Sequence, residues 1–177
     1  MSNLSFRALT REDITAAAKV ISAAFAPVSQ RNGLPEDQDL SPLIARLEEA
    51  FEQEAEQMGA WQDEQLVGYF SLTMKDEEIY EISRLCVHPD AQKNGYGQQM
   101  LDRAVTEIRR KSGVAAVCAV IVDHSFVLKW LEKNHFHEEV SGNFPGLPCP
   151  VCILQRDLPM PSGCQPEDCA GCSGGCH

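Results

Sequence analysis

A strand that ends in a glycine-bearing loop and leads into a long helix constrains the fold of this chain more than any other segment. An apolar strand is predicted to end at Val87, and an amphipathic helix is predicted to run to about Lys111. Between them stands the pattern Gln92-x-x-Gly95-x-Gly97. Glycines let a ligand approach the backbone, and the first N–H groups of a helix have no partner inside it. The segment therefore predicts an anion site, suited to a pyrophosphate, at the start of the helix.

The surrounding periodicity predicts one α/β domain, with a linker and a tail beyond residue 158. Predicted strands span residues 4–8, 66–74, 79–87, 114–122, 136–140 and 151–158. Predicted helices span residues 14–25, 41–58, 96–111 and 125–134, with a loop at 27–39 and with Gly59 ending the second helix. An antiparallel meander precedes a strand–helix–strand–helix–strand order. We therefore expect a mixed, mostly antiparallel sheet with helices on both faces.

Charge and hydropathy exclude several classes of function. Fifteen Lys and Arg residues against twenty-six Asp and Glu residues give a net charge of −11. Such a surface repels phosphate backbones, which argues against nucleic-acid binding, and it attracts cationic partners such as amines. Solubility alone is the alternative explanation for this charge. The sequence has no apolar run long enough to cross a bilayer and no secretory leader, so we expect a cytoplasmic protein without membrane partners.

In this context the segment from residue 85 to residue 97 resembles the acetyl-CoA motif of the GNAT superfamily of N-acetyltransferases. The resemblance covers about residues 4–158 and includes the closing stretch 130–136. It implies that backbone amides at 94–97 bind the pyrophosphate, that residues 85–87 pair with the pantetheine arm, and that an amide near Cys86 or Val87 stabilises the oxyanion. The residues it assigns to acetyl-CoA are Leu85, Cys86, Val87, Gln92, Asn94, Gly95, Tyr96 and Gly97.

The resemblance also implies a catalytic base and shows a missing acid. Glu81 matches the position of a glutamate base in some members, and on a regular strand it shares one face with Leu85. A solvated glutamate, or one paired near Arg84, is the alternative. Leu131 stands where many members have a tyrosine acid, and His124 replaces the usual asparagine of that helix. His124 is a candidate substitute for the acid, although a lone histidine is more often structural.

A cysteine-rich tail follows the domain. Closely spaced thiolates can bind a soft metal ion, and the metal would supply folding energy that the tail lacks. The spacing fits both zinc and an iron–sulfur cluster, and a reduced tail without metal is the alternative. Cys86 and Cys118 are expected to be buried and inert. The predicted ligands are Cys164, Cys169, Cys172 and Cys176, with a further pair at Cys149 and Cys152.

Together these features predict an acetyltransferase domain over residues 1–158 and a metal-binding segment over residues 159–177. The expected reaction transfers the acetyl group of acetyl-CoA to a primary amine, and a homodimer is among the expected assemblies. Two alternatives stay open at this point. One is a non-catalytic acetyl-CoA-binding module whose tail senses metal or redox state, and the other is transfer of a longer acyl group.

Overall fold

The computed structural model describes residues 4–34, 39–53, 55–145 and 147–159. The strands are β1 (Leu4–Ala8), β2 (Glu56–Gln62), β3 (Gln65–Asp76), β4 (Ile79–Val87), β5 (Ala115–Ile121), β6 (His137–Gly142) and β7 (Val151–Asp157). The helices are α1 (Ile14–Arg31), α2 (Ser41–Glu52), α3 (Tyr96–Arg110) and α4 (Ser125–Lys133), with single 3₁₀ turns at Arg11–Asp13 and Pro89–Ala91. No helix in these described ranges has both the length and the apolar character needed to cross a membrane.

The seven strands form one sheet in the order β1-β2-β3-β4-β5-β7-β6. Neighbouring strands are antiparallel except for β4 and β5, which run parallel. The parallel pair requires a crossover, and α3 provides it. The predicted fold class, a mixed and mostly antiparallel sheet, is therefore confirmed.

Helices cover both faces of the sheet, as the sequence predicts. On one face α3 and α4 pack against a core that includes Phe70, Met100 and Leu131. On the other face α1 and α2 pack against a second core that includes Tyr69 and Leu47. Phe70 and Tyr69 are neighbours in β3 and are both fully buried, because side chains of successive strand residues point to opposite faces.

The second helix ends earlier than predicted. It stops at Glu52, and residues 56–58, predicted as its last turn, begin β2 instead, with Gly59 inside the strand rather than at a helix end. Five consecutive residues of β2 are buried because both faces of the strand are covered, so the strand shows no alternation of apolar and polar residues. A Cβ built at Gly59 would lie 2.7 Å from atoms of Leu66 and Trp61, so close packing accounts for this glycine.

The first helix extends beyond its predicted end. The loop predicted from Pro27 onward begins only after Arg31, and Pro27 lies inside α1. Proline removes one helical hydrogen bond, but the burial of Val28 keeps the helix on the sheet, and the Asn32 side-chain amide donates to the Val28 carbonyl at 2.9 Å. The other predicted elements are present, with ends that differ by no more than two residues.

Candidate functional site

A β-bulge interrupts β4 at the centre of the sheet. Between the pairs Tyr69–Cys86 and Ser71–Ser83, one residue of β3 lies opposite two residues of β4. One of the two is Arg84, whose φ of 53° is in the left-handed region. A bulge bends its strand and increases the local twist, and a non-glycine residue in this conformation is uncommon. The bulge thus changes the course of β4 halfway along its length.

The parallel pairing of β4 with β5 ends just before the bulge. Ile79–Glu81 pairs with Ala115–Val117, whereas β4 continues to Val87 and β5 continues to Ile121. Beyond this point β5 keeps its pairing with β7, and β4 keeps its pairing with β3. The two central strands therefore diverge and leave an open cleft between them.

Val87 presents its backbone to this cleft. The His88 amide donates to the Val67 carbonyl of β3 at 2.7 Å, and neighbouring strand residues direct their backbone groups to opposite edges. Consistent with this, the Val87 carbonyl accepts from Nε2 of Gln92 at 3.0 Å, while Cys86 pairs with β3. Of the two amides predicted as candidates for the oxyanion, those of Cys86 and Val87, the alternation directs that of Val87 to the cleft.

The loop before α3 is held in a compact form. The Asn94 side-chain amide donates to the Ala91 carbonyl at 3.1 Å, and Gly95, the N-cap of α3, has a φ of 76°. The side chain of Tyr96 turns inward and joins the core between α3 and the sheet. Only the backbone of Tyr96 therefore contributes to the outer surface of the loop.

The first turn of α3 offers both free donors and open space. Its first intrahelical hydrogen bond runs from the Gln99 amide to the Gly95 carbonyl at 3.2 Å. The amides of residues 95–98 precede this bond and have no partner within the helix. A Cβ built at Gly97 would meet nothing within 4 Å. Because Gly97 has no side chain, the amides around it are exposed at the positive end of the helix dipole, which suits a phosphate group.

Glu81 lies on the face of the sheet that α1 and α2 cover. It pairs with Thr73 of β3, and its side chain is 22% exposed. The Lys75 ammonium lies 2.5 Å from its Oε2 atom. The alternative pairing in the neighbourhood of Arg84 is therefore wrong, since the observed partner comes from β3.

Leu85 does not share the face of Glu81, which corrects the expectation for a regular strand. Leu85 packs against the core on the α3 side, and Cys86 belongs to the core on the α1 and α2 side. The extra residue in the bulge reverses the alternation, so Cys86 takes the face that Leu85 would have had. The pantetheine segment predicted at residues 85–87 thus presents side chains to both faces.

A cavity of about 460 Å³ lies on the same face as Glu81. Its walls come from α1 between Ile21 and Ser29, from Leu34 and Leu43, and from Arg84 at the bulge of β4 and Ile121 at the end of β5. The cavity is therefore positioned between the two helices and the point where β4 and β5 diverge. A volume of this size accommodates a small molecule.

Leu131, at the position of the missing acid, and His124, its candidate substitute, occupy different environments. Leu131 is buried in the core, so no titratable group stands at the usual tyrosine position. His124 is the N-cap of α4, where burial lowers its pKa and the positive charge of Arg31 lowers the pKa further. The lowered pKa reduces the fraction of His124 that carries a proton to donate at neutral pH.

A hydrogen-bond network that sequence reasoning did not identify attaches α4 to the start of α3. The Trp130 indole N–H donates to Oε1 of Gln98 at 3.1 Å, and Nε2 of Gln98 donates to Oδ1 of Asn134 at 2.7 Å. Gln98 lies one residue after Gly97, so the network positions the first turn of α3. A tryptophan and an asparagine one helical turn apart were the available signal, because i and i+4 side chains share a helix face.

Cys86 and Cys118 are buried as predicted, Cys149 is partly exposed, and the tail lies outside the described residues. Burial raises the pKa of Cys86 and that of Cys118 to about 12, which confirms that they are inert thiols. Cys152 is 2% exposed, and burial with a hydrogen bond to Glu138 raises its pKa to about 11. Within the described ranges no cluster of His, Cys, Asp or Glu residues could hold a metal ion. The predicted ligands Cys164, Cys169, Cys172 and Cys176 all belong to the part of the chain that is not described.

Comparison with protein families decides how this arrangement is classified. The family model of the acetyltransferase (GNAT) family matches residues 22–136, which is more than half of the chain. The chain is a member of the GNAT family. The matched range contains the bulge in β4, the cleft and the loop before α3. No curated protein sequence matches the chain.

Solved structures share the fold at low sequence identity. The structure of yncA from Salmonella typhimurium with its cofactor acetyl-CoA has a TM-score of 0.66 at 18% identity. The match covers 93% of this chain and 99% of the yncA chain. The PaiA N-acetyltransferase from Thermoplasma acidophilum, in complex with coenzyme A, has a TM-score of 0.70 at 18% identity, with coverages of 88% and 99%. The ribosomal-protein-S18-alanine N-acetyltransferase from Escherichia coli has a TM-score of 0.71 at 15% identity, with coverages of 90% and 96%.

Proposed function

We propose that this GNAT protein transfers the acetyl group of acetyl-CoA to a primary amine. The observation that carries the proposal is the cleft between β4 and β5, which leads to the free N-terminus of α3. A Gln92 hydrogen bond to the Val87 carbonyl connects the two parts. Two proteins of the same fold contain acetyl-CoA and coenzyme A, and several are named N-acetyltransferases, which supports the proposal.

The chain has the features that coenzyme A requires. Its pyrophosphate is anionic, and the amides of residues 95–98 are unpaired within α3 and open to solvent above Gly97. The backbone of Val87 faces the cleft and can pair with an extended amide-containing chain as an added strand does. The pyrophosphate thus has candidate partners in the amides of residues 95–98, and the extended arm of the cofactor has one in the backbone of Val87.

Glu81 is proposed to remove the proton that keeps a primary amine unreactive. An alkyl ammonium has a pKa of about 10.4, so the amine must lose a proton before its nitrogen attacks the thioester carbonyl. The Val87 amide is proposed to stabilise the oxyanion as the C–N bond forms. The nitrogen then loses its second proton to solvent as the C–S bond breaks. Coenzyme A leaves as a thiolate, which needs little help from the acid missing at Leu131, because a thiol has a pKa of about 8.5.

The net charge of −11 supports a cationic amine as the acceptor, because the surface potential concentrates such substrates. The proposal assigns the reaction to residues 1–158 and leaves metal binding to residues 159–177.

The proposal is tested by assaying the purified protein with a panel of amines. A thiol reagent detects the coenzyme A that is released. Release that requires an amine and yields an acetylated product supports the proposal. Binding of acetyl-CoA by calorimetry without release on any amine would favour the non-catalytic alternative. Substituting propionyl-CoA or butyryl-CoA for acetyl-CoA tests transfer of longer acyl groups, and an equal or higher rate with them would contradict acetyl specificity.

A further inference from the structure

The cavity between α1, α2 and the central strands indicates the chemical class of the acceptor. We propose that the acceptor is a small amine that also carries an anionic group, a carboxylate in the simplest case, and that this group binds the guanidinium of Arg84. This inference rests on the proposed function. The acceptor is then zwitterionic, with its amine directed to Glu81. Because its net charge is zero, it binds through Glu81 and Arg84 and not through attraction to the acidic surface.

The walls of the cavity are apolar except at a few positions. Most of its described lining is aliphatic or aromatic, from α1, α2, Leu34 between these helices, and Ile121 at the end of β5. Ser22 and Ser29 contribute hydroxyl groups, and Arg84 is the one charged residue among the described lining residues. An apolar wall with one positive group suits a molecule that has an apolar portion and an anionic group.

Arg84 is held in the cavity wall and lacks an ionic partner among the described residues. The bulge places it at a φ of 53°, and its side chain is half-buried. It takes no part in the ion pairs that form within the described ranges. Placing a guanidinium against apolar walls without a counter-charge is unfavourable, and its planar donors match a carboxylate with two hydrogen bonds.

A second positive charge lies near the same end of the cavity. Arg31 is two residues beyond Ser29 and is close enough to His124 to lower the pKa of that imidazole. His124 in turn follows Ile121, and its amide donates to the Ile121 carbonyl. The carboxylate of Asp123 also lies near His124 and opposes the effect of Arg31, so Arg84 is the charged group on which the inference depends.

Opposite charges are therefore separated along one strand. Glu81 and Arg84 are three residues apart on β4, which corresponds to no more than about 10 Å at the rise of a strand. Glu81 lies toward the paired end of the strands, and Arg84 lies toward the open end. A small amino acid with an apolar side chain matches this arrangement of charges and the apolar walls.

Matched amine pairs test the inference directly. The probes are leucine, methionine and phenylalanine, each compared with the amine that lacks its carboxylate: isoamylamine, 3-(methylthio)propylamine and phenethylamine. We expect at least one amino acid to exceed its partner in kcat/KM by on the order of 10- to 100-fold, the usual strength of a charged hydrogen bond. In Arg84→Gln the ratio of the two kcat/KM values should fall by a similar factor.

Control variants separate a specific effect from a change in charge or folding. Arg109→Gln removes the same charge from an exposed position on α3 and should leave the preference intact. Arg84→Lys keeps the charge without the planar donors and should retain part of the preference. Acetyl-CoA affinity of Arg84→Gln, measured by calorimetry, should match that of the parent protein and shows that the variant is folded.

The two proposals fail in different ways. Faster turnover of the decarboxylated amines, or equal preference in Arg84→Gln and the parent protein, overturns the inference and leaves amine acetylation standing. No turnover of any amine overturns the proposed function. In that case the role of Arg84 is tested by calorimetry with coenzyme A present, which compares the binding of N-acetylleucine with that of N-isoamylacetamide. If Arg84→Gln binds N-acetylleucine as tightly as the parent protein does, the role of Arg84 is overturned independently.

Discussion

At the scale of single residues, the environment of Glu81 determines how it can act as a base. Its carboxylate lies beside the Lys75 ammonium on the face of the sheet that holds the cavity. A base in that position can accept a proton from an amine that approaches through the cavity, and Lys75 keeps the carboxylate oriented. Glu81 thus combines a suitable position with a defined orientation.

Glu81→Gln should lower turnover by about 10²-fold with little change in acetyl-CoA affinity, because only proton removal is lost. The deficit should shrink at high pH, where more of the amine is already neutral. Coenzyme A release as a function of pH provides the measurement. Glu77→Gln, in the exposed turn of the same hairpin, is the matched control. Parental turnover by Glu81→Gln at neutral pH would mean that another group is the base.

Tyr69 is a second residue whose surroundings predict an outcome. Its hydroxyl donates to Oε1 of buried Gln57 at 2.8 Å, and Nε2 of Gln57 donates to the Leu47 carbonyl at 3.0 Å. Tyr69→Phe leaves a buried amide oxygen without its donor and should lower the free energy of unfolding by about 1–3 kcal/mol. Urea unfolding followed by tryptophan fluorescence measures the loss. Tyr80→Phe is the control, and a loss of equal size in both variants would contradict the role of the hydrogen bond.

At the scale of elements, the first turn of α3 leaves open space beside its unpaired amides. Space above Gly97 is open, so a side chain there would meet no protein atom within 4 Å of its Cβ. A substitution at Gly97 therefore tests ligand binding with little effect on packing, whereas Gly95 has a φ of 76° and cannot be replaced without strain.

Gly97→Glu should weaken acetyl-CoA binding severely, because the side chain occupies the space of the pyrophosphate and repels its charge. Calorimetry measures the affinity, and thermal unfolding checks that the domain is intact. Gln99→Glu adds the same charge two residues later, about 200° around the helix, and should bind acetyl-CoA nearly as the parent does. Unchanged affinity in Gly97→Glu would remove the pyrophosphate site from this turn.

At the scale of the whole molecule, the catalytic proposal and the metal prediction rest on separate segments. The cavity, the cleft and Glu81 all lie before residue 158, and the four predicted metal ligands lie after it. Cys152 packs in the domain core with a raised pKa, which disfavours the thiolate that a metal ligand requires. We therefore expect the tail to bind metal without Cys152.

Truncation after Leu158 should remove bound metal and leave acetyl-CoA affinity intact. Elemental analysis of protein purified anaerobically should find zinc or iron in the full chain, and acidification should release it, because thiolates bind metal only after losing their protons. Cys152→Ser in the full chain should retain the metal. Less than about a tenth of an equivalent of any transition metal in the full chain would favour the metal-free reduced tail.

The proposed anion site could be located on the sequence because the residues that define it are close together in the chain. Gln92, Gly95 and Gly97 act within one loop and one helical turn, and the hydrophobic periodicity of α3 depends only on neighbouring residues. The fold class also followed from the order of the elements. By itself, then, the sequence determined the mixed sheet and the position of the proposed pyrophosphate site.

Only the tertiary structure decided the features that depend on pairing between distant segments. Gly59 lies in a strand buried on both faces, so its local pattern resembled the end of a helix. The bulge at Arg84 depends on the register of β4 with β3, and it moves Leu85 off the face of Glu81. The cavity requires α1 and α2 to lie over that bulge. Strand register and helix packing arise from contacts between residues far apart in the chain, which local patterns do not encode.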